Sequence, residues 1–121
     1  MSCHASVRHV DRIAILDLRG RITLGEGCET IRNTIQDLLD VGENHIVLNL
    51  REVSYIDSAA LGELVSVWTT VRNSGGQVKL LQPPAKMDSL LQVTKLYTIF
   101  ESFGAEPDAV ASFRSGGAGA S

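Results

Sequence analysis

The stretch Asp57-Ser58-Ala59-Ala60-Leu61-Gly62 separates two patterns of apolar residues near the middle of the chain. Residues 46–50 before it are almost continuously apolar, which is typical of a strand buried on both faces. Residues 61–71 after it carry apolar side chains at helical spacing, which predicts an amphipathic helix. The hydroxyl of Ser58 is therefore expected in the first turn of this helix. Backbone N–H groups there have no partner within the helix, so the position favours an anion such as a phosphate.

Further elements are predicted on both sides of this stretch from the same kinds of pattern. They are a strand hairpin at residues 6–10 and 13–18, a helix at 24–41, a strand at 77–81 and a short helix at 85–94. The resulting order predicts an α/β fold with a single domain, whose mixed sheet has four to five strands and helices mainly on one side. Apolar residues become sparse after residue 102, so we expect the domain to span residues 1–114 and a disordered tail at 115–121.

Composition limits the classes of function. A chain of 121 residues with 44% hydrophobic content suits one compact domain. The net charge of -3, with no basic run, gives no attraction to nucleic acid or to an anionic membrane. The two cysteines lack C-x-x-C spacing, and no apolar run approaches the roughly 20 residues that span a bilayer. We therefore expect a soluble cytoplasmic protein, without membrane insertion, whose partner is another protein.

The starts of the two longer helices also have a purely structural interpretation. Asp57 fits a helix cap, and on this interpretation Ser58 is merely tolerated in the first turn. Thr23, with Glu26 three residues later, fits a capping box, so we interpret Thr23 as a cap rather than a second modified residue. The buried stripe of the second helix is predicted to consist of Leu61, Leu64, Val65, Trp68 and Val71.

Residues 53–64, followed by Gly75-Gly76 and a lysine-containing strand, resemble the STAS domain family, and most of all its bacterial anti-sigma factor antagonists. The resemblance extends from the first hairpin to about Phe100. It includes residues 18–22 at the family's Leu-x-Gly-x-Leu/Ile turn and residues 45–50 at its central strand. The family commonly has Ser-Gly or Ser-Ala where this chain has Ala59-Ala60.

The resemblance implies a cytoplasmic partner switch without enzyme activity and without a cofactor. In such a switch the unphosphorylated domain binds an anti-sigma factor that is also a serine kinase. Phosphorylation of the serine after the aspartate, here Ser58, releases the kinase, and a metal-dependent protein serine phosphatase resets the domain. The alternative is a non-phosphorylated STAS interaction subunit of a lipid-transport ATPase or of a stress-signalling complex.

The surface that binds the partner is expected at one end of the sheet, an expectation that rests partly on the resemblance. It includes the segment after the first hairpin, a predicted loop at residues 54–56 before the second helix and the start of that helix. The residues are Thr23, Leu24, Gly25, Ser54, Tyr55, Ile56, Asp57, Ser58, Ala59 and Ala60.

Two other classes of phosphorylated or catalytic domain fit the sequence poorly. A receiver domain would be phosphorylated on Asp57 and needs further carboxylates for Mg²⁺, but the hairpin supplies only Asp11 and Asp17, which are not an acidic pair. A serine hydrolase would need a G-x-S-x-G elbow around Ser58, which is absent. We therefore expect no catalytic residue and no metal site.

Overall fold

Strands and helices alternate along most of the chain. The computed structural model describes residues 3–23 and 25–120, with only the backbone described for Glu26, Cys28 and residues 114–120. The strands are β1 Cys3–Val10, β2 Ile13–Ile22, β3 His45–Ile56, β4 Gln77–Leu81 and β5 Ser102–Phe103. The helices are α1 Glu26–Asp40, α2 Ser58–Asn73, α3 Ala85–Thr94 and α4 Glu106–Ala120, with a 3-10 turn at Leu96–Thr98 between α3 and β5.

The strands form one mixed sheet in the order β1-β2-β3-β4-β5. Strands β1 and β2 are antiparallel, and all later neighbours are parallel. The two residues of the hairpin turn, Asp11 and Arg12, have φ angles of 50° and 68°, as a type I′ turn requires. The predicted hairpin, the central position of β3 and the mixed sheet of four to five strands are therefore confirmed.

The main core lies between one face of the sheet and helices α1, α2 and α3. Leu16, Leu48 and Leu80 are partners across β2, β3 and β4, and all three are fully buried. Because strand residues alternate between faces, these leucines share one face and Val47 lies on the other. The apolar run of β3 is thus buried on both faces, and the predicted placement of the helices mainly on one side is confirmed.

The buried stripe of α2 differs from the prediction in two positions. It consists of Ala60, Leu61, Leu64, Val67 and Val71. Val65 and Trp68 are only partly buried and pack against the margin of the core. The helix is oriented so that Val67 faces the core, and the larger Trp68 covers the edge of the core.

The second face of the sheet is covered in part by α4, an element that the sequence did not reveal. Val110 and Phe113 pack with Ile13, Ile15 and Val47 in a separate small core. This helix needs few apolar residues because it covers only part of the face. The sparse apolar pattern after residue 102 therefore reflected a one-sided helix.

The predicted domain boundary at residue 114 falls within α4, whose helical backbone continues to Ala120. Phe113 is the last residue whose burial is described, and Ser121 lies outside the described residues. The disordered tail at 115–121 stays a prediction about the chain in solution.

A polar cluster joins the start of α4 to the sheet. Arg8 Nε donates to Asp17 Oδ2 at 2.6 Å, and Arg8 Nη1 donates to Glu106 Oε2 at 3.0 Å. Asn49 Nδ2 donates to Asp17 Oδ1 at 2.7 Å. Burial alone would raise the pKa of Asp17, but the hydrogen bonds from Arg8 and Asn49 outweigh it and hold the pKa below its usual range. The hydrogen bond from Arg8 also lowers the pKa of Glu106.

Helix α2 is followed by two glycines that have different structural roles. The N–H of Gly75 donates to Arg72 O and the N–H of Gly76 to Val71 O, both at 2.9 Å, which is a Schellman ending with Gly75 at a φ of 86°. Gly76 is needed for a different reason. A Cβ on it would lie 2.1 Å from the carbonyl oxygen of Asn44.

Candidate functional site

The carboxyl ends of β2 and β3 meet at one edge of the sheet. Ile22 and Ile56 are register partners, and the N–H of Asp57 donates to Ile22 O at 3.3 Å. The segment after β2 and the start of α2 are therefore neighbours, as predicted. This edge is also where ligands of open α/β sheets commonly bind.

Asp57 caps α2. Its backbone is extended, with φ -96° and ψ 169°, and its Oδ1 accepts a hydrogen bond from the N–H of Ala60 at 2.7 Å. Its carbonyl oxygen accepts the first helical hydrogen bond, from the N–H of Leu61 at 3.0 Å. One of the orphan donors of the helix start is thus satisfied by the Asp57 carboxylate.

Ser58 is the first residue of α2, and its side chain is exposed. Within the described part of the chain, no protein group forms a hydrogen bond with its hydroxyl. The helix dipole adds partial positive charge at this position. The Ser58 hydroxyl is consequently accessible to another protein and lies where an anion is tolerated.

The structure brings together some of the predicted site residues and buries others. Ala59 and Gly25 are exposed, and Thr23 is half-buried at the same edge. Ile56 and Ala60 are 1% and 0% exposed and belong to the core, so neither residue is open to a partner. Leu24 lies outside the described residues.

Ser54 and Tyr55 belong to β3, although the sequence placed residues 54–56 in a loop. Ser54 Oγ donates to Gly20 O at 3.2 Å and ties the strand to β2. The strand continues past residue 50 because the pairing of β2 with β3 resumes after two register irregularities. Tyr55 is half-buried and pairs with Arg21 of β2 in this extended part of the sheet.

The capping box predicted for Thr23 is wrong. Helix α1 begins after Gly25, which occupies the cap position at a φ of 104° and offers no side-chain cap. The chain needs a glycine there because other residues rarely adopt this backbone conformation.

The exposed Ser58 side chain lines none of four pronounced clefts formed by the described residues. A cleft of about 760 Å³ lies beside β4 and is lined by Trp68, Lys79, Glu101 and Phe103 among others. Lys79 is almost fully buried there, and its Nζ donates to Glu101 Oε1 at 2.8 Å. The described part of the chain holds no His, Cys, Asp and Glu group suited to a metal ion. The helix start at Ser58 therefore acts as a surface rather than as a ligand cavity.

Comparison with known proteins identifies the family. The family model of the STAS domain matches residues 4–109, which is most of the chain. The chain belongs to the STAS domain family. None of the described helices is long and apolar enough to cross a bilayer.

Several proteins similar to this STAS domain are named as anti-sigma factor antagonists. One from Thermotoga maritima is 32% identical over 78 residues, which cover 64% of this chain and 69% of the relative. A crystal structure from Thermotoga maritima, also named as an anti-sigma factor antagonist, has a TM-score of 0.83 at 28% identity and covers 91% and 94% of the two chains. Both of these relatives are thus named for a regulatory role.

A more distant neighbour supports the fold alone. The Bacillus cell fate determinant SpoIIAA in its phosphorylated form has a TM-score of 0.72 at 21% identity. The match covers 91% of this STAS domain and 99% of that chain. The arrangement of one mixed sheet with helices mainly on one side is therefore that of the family.

Two cations at the site of this STAS domain were not singled out from the sequence. The guanidinium of Arg21 lies 4.4 Å from the ring centroid of Tyr55, and Nζ of Lys86 lies 4.9 Å from it. Arg21 is the register partner of Tyr55, and Lys86 is in the first turn of α3. Only the fold brings Lys86 to Tyr55, because the two are far apart in sequence.

Proposed function

We propose that this STAS domain is an anti-sigma factor antagonist that works as a phosphorylation-controlled partner switch in the cytoplasm. Its unphosphorylated form binds an anti-sigma serine kinase. The kinase transfers the γ-phosphoryl group of a nucleoside triphosphate to Ser58 Oγ, which loses its proton, and the nucleoside diphosphate and the phosphorylated domain are released. A metal-dependent protein serine phosphatase hydrolyses the phosphoserine and restores binding.

The single observation that carries this proposal is the exposed hydroxyl of Ser58, next to the Asp57 carboxylate that caps α2. The Asp57 carboxylate already accepts from the N–H of Ala60, so the neighbouring hydroxyl is left for a partner. The proposal is also supported by the relatives, which are named as anti-sigma factor antagonists. One structural neighbour, the Bacillus protein, has a solved phosphorylated form.

Charge supplies the physical basis of release. A phosphoserine carries about -1.5 to -2 charge at neutral pH. On Ser58 this charge lies next to the carboxylate of Asp57, and both would face a docked partner. Like charges and the altered hydration weaken such an interface.

The surface for the partner is proposed to centre on the exposed residues of this edge. Ser58 and Ala59 contribute side chains from α2, while Thr23 and Gly25 contribute the segment after β2. Ala59 is small, so a partner can approach the first turn of α2 closely. The backbone of Ile56 and Ala60 supports this surface from below, since their side chains are buried.

Mapping phosphorylation on the protein isolated from its native cell under growth and stress tests the proposal, with Ser58→Ala as the negative control. We expect phosphate on Ser58 that changes with the condition. Binding to the purified kinase should persist for Ser58→Ala and weaken for Ser58→Glu. Ser66→Glu is a matched control, because it adds the same charge on an exposed position of α2 about 12 Å along the helix.

Two results would contradict the switch. Equal kinase binding by Ser58→Ala and Ser58→Glu would refute the charge mechanism. Persistent absence of phosphate, while the protein still co-purifies with a partner, would favour the non-phosphorylated subunit of a lipid-transport ATPase or of a stress-signalling complex.

A further inference from the structure

Two positively charged side chains flank one aromatic ring at the edge of the sheet that carries Ser58. The Arg21 guanidinium lies 4.4 Å and the Lys86 Nζ 4.9 Å from the centroid of the Tyr55 ring. Such cation–π contacts at exposed sites are weak, at about 0.5–1 kcal/mol each. The ring therefore holds both cations in place without binding either of them tightly.

Neither cation has a carboxylate partner among the described residues. The cations Arg8, Arg32 and Lys79, by contrast, are paired with acidic side chains. Arg21 and Lys86 are both exposed, so water and the Tyr55 ring are their surroundings. Their distances to the same ring centroid place the two cations no more than about 9 Å apart, and like charges at such a separation are stabilised by an anion that binds both.

The backbone places this pair next to the helix start. Arg21 immediately precedes Ile22, whose carbonyl oxygen accepts the N–H of Asp57. Tyr55, whose ring lies near both cations, is three residues before Ser58. Arginine and lysine have long flexible side chains, and binding a group on Ser58 would require both charged groups to leave the ring.

We propose that Arg21 and Lys86 form the binding site for the phosphate of phosphorylated Ser58. This inference rests on the proposed function, since it requires phosphate on Ser58. Arg21 supplies a planar fork of N–H donors and Lys86 a mobile ammonium, and both are suited to a phosphate dianion. The N–H groups of Ser58 and Ala59 in the first turn are further donors for the phosphate, whereas the N–H of Ala60 already donates to the Asp57 carboxylate.

The site resolves an electrostatic conflict at this helix start. A phosphate on Ser58 is repelled by the Asp57 carboxylate, and the two cations offset that repulsion. Binding also changes the charge shown to a partner. The two cations and the carboxylate of Asp57 together carry about +1, whereas with the phosphate the same surface carries roughly -0.5 to -1.

A phosphorus NMR titration of protein with phosphoserine installed at position 58 by chemical or genetic incorporation tests the site without any kinase. Nearby cations favour the dianion, so the titration midpoint should lie below the ordinary value of about pH 6. Arg21→Gln and Lys86→Gln should each raise the midpoint by roughly half a pH unit. Arg21→Lys should raise it less, because it keeps the charge and loses the fork.

Arg72→Gln is the matched control. Its guanidinium also lies over an aromatic ring, 5.6 Å from the centroid of Trp68, but about 21 Å along α2 from Ser58. It should leave the midpoint unchanged, and added salt should reduce the differences caused by Arg21→Gln and Lys86→Gln.

The two proposals fail separately. If all variants titrate with the midpoint of the unaltered protein, the phosphate site is refuted even where cells phosphorylate Ser58. If the midpoints differ as expected but cells never phosphorylate Ser58, the switch is refuted and the binding capacity of the two cations stands.

Discussion

Replacement of Asp57 separates the two tasks that its carboxylate can have. In the structure Asp57 Oδ1 accepts a hydrogen bond from the N–H of Ala60 at 2.7 Å and thereby caps α2. Asp57→Ala removes both the hydrogen bond and the charge. Asp57→Asn removes the charge but keeps an oxygen that can accept the same hydrogen bond, because asparagine caps helices about as well as aspartate.

The magnitude follows from the single capping contact. Loss of a side-chain cap lowers the free energy of unfolding by about 1 kcal/mol, within a range of roughly 0.5–2. For a domain of this size, this loss lowers the melting temperature by about 3–5 °C. The same loss lowers the urea concentration at the unfolding midpoint by about 0.5–1 M. Asp57→Asn should stay within a few tenths of a kcal/mol of the unaltered protein.

Trp68 provides the assay. It is the single tryptophan of the chain and lies half-buried on α2 at the margin of the main core. Its fluorescence should therefore follow the unfolding of this helix together with the core in a urea titration. The rate of phosphorylation by the proposed partner kinase is then measured without urea, at a temperature where all variants are folded.

Two outcomes would refute the reasoning. If Asp57→Ala is as stable as the unaltered protein, the cap contributes nothing. If Asp57→Asn loses as much stability as Asp57→Ala, the charge rather than the hydrogen bond stabilises the helix. A fully stable Asp57→Asn whose phosphorylation is slow would assign the carboxylate a direct role in kinase recognition.

Further predictions concern the second face and the glycines. Because the pKa values of Asp17 and Glu106 are lowered in the folded state, their contribution to stability is present above about pH 4 and lost as the pH falls below it. Arg8→Gln should flatten this acid dependence in urea titrations between pH 6 and 3, and an unaltered slope would contradict it. Gly76→Ala should cost at least about 1–3 kcal/mol, since its Cβ meets a backbone oxygen. Gly62→Ala places its methyl group in open space on α2 and should raise the free energy of unfolding by about 0.5–1 kcal/mol. Equal melting temperatures for Gly62→Ala and Gly76→Ala would disprove the packing argument.

The order of elements was predictable because it depends on local patterns. The apolar run at residues 46–50 is continuous since Val47 and Leu48 face opposite cores, and this pattern alone indicated a central strand. Strand β5 and helix α4 escaped detection for a physical reason. Strand β5 has only two residues, and α4 covers part of one face with a few apolar side chains, so neither produces a full period of its pattern.

The site was predicted in part. A helix start at Asp57 and Ser58 follows from local sequence, and the structure has it there. The burial of the neighbouring residues does not follow from local sequence. Ile56 and Ala60 point into the core because of the pairing of β3 and the orientation of α2. The contact of Lys86 with Tyr55 depends on how α3 packs, which local sequence does not determine.

The structure around Ser58 indicates how phosphorylation can act without a change of fold. Ser58 lies between two anchors, Ile56 and Ala60, whose side chains are buried in the main core. The N–H and the carboxylate of Asp57 are both occupied, by Ile22 O and by the N–H of Ala60. A phosphate attached here meets a backbone that is held on both sides. In the proposed switch, the change that a partner detects is therefore one of charge on a fixed surface, and exposed cations beside that surface, such as Arg21, are the groups proposed to respond to it.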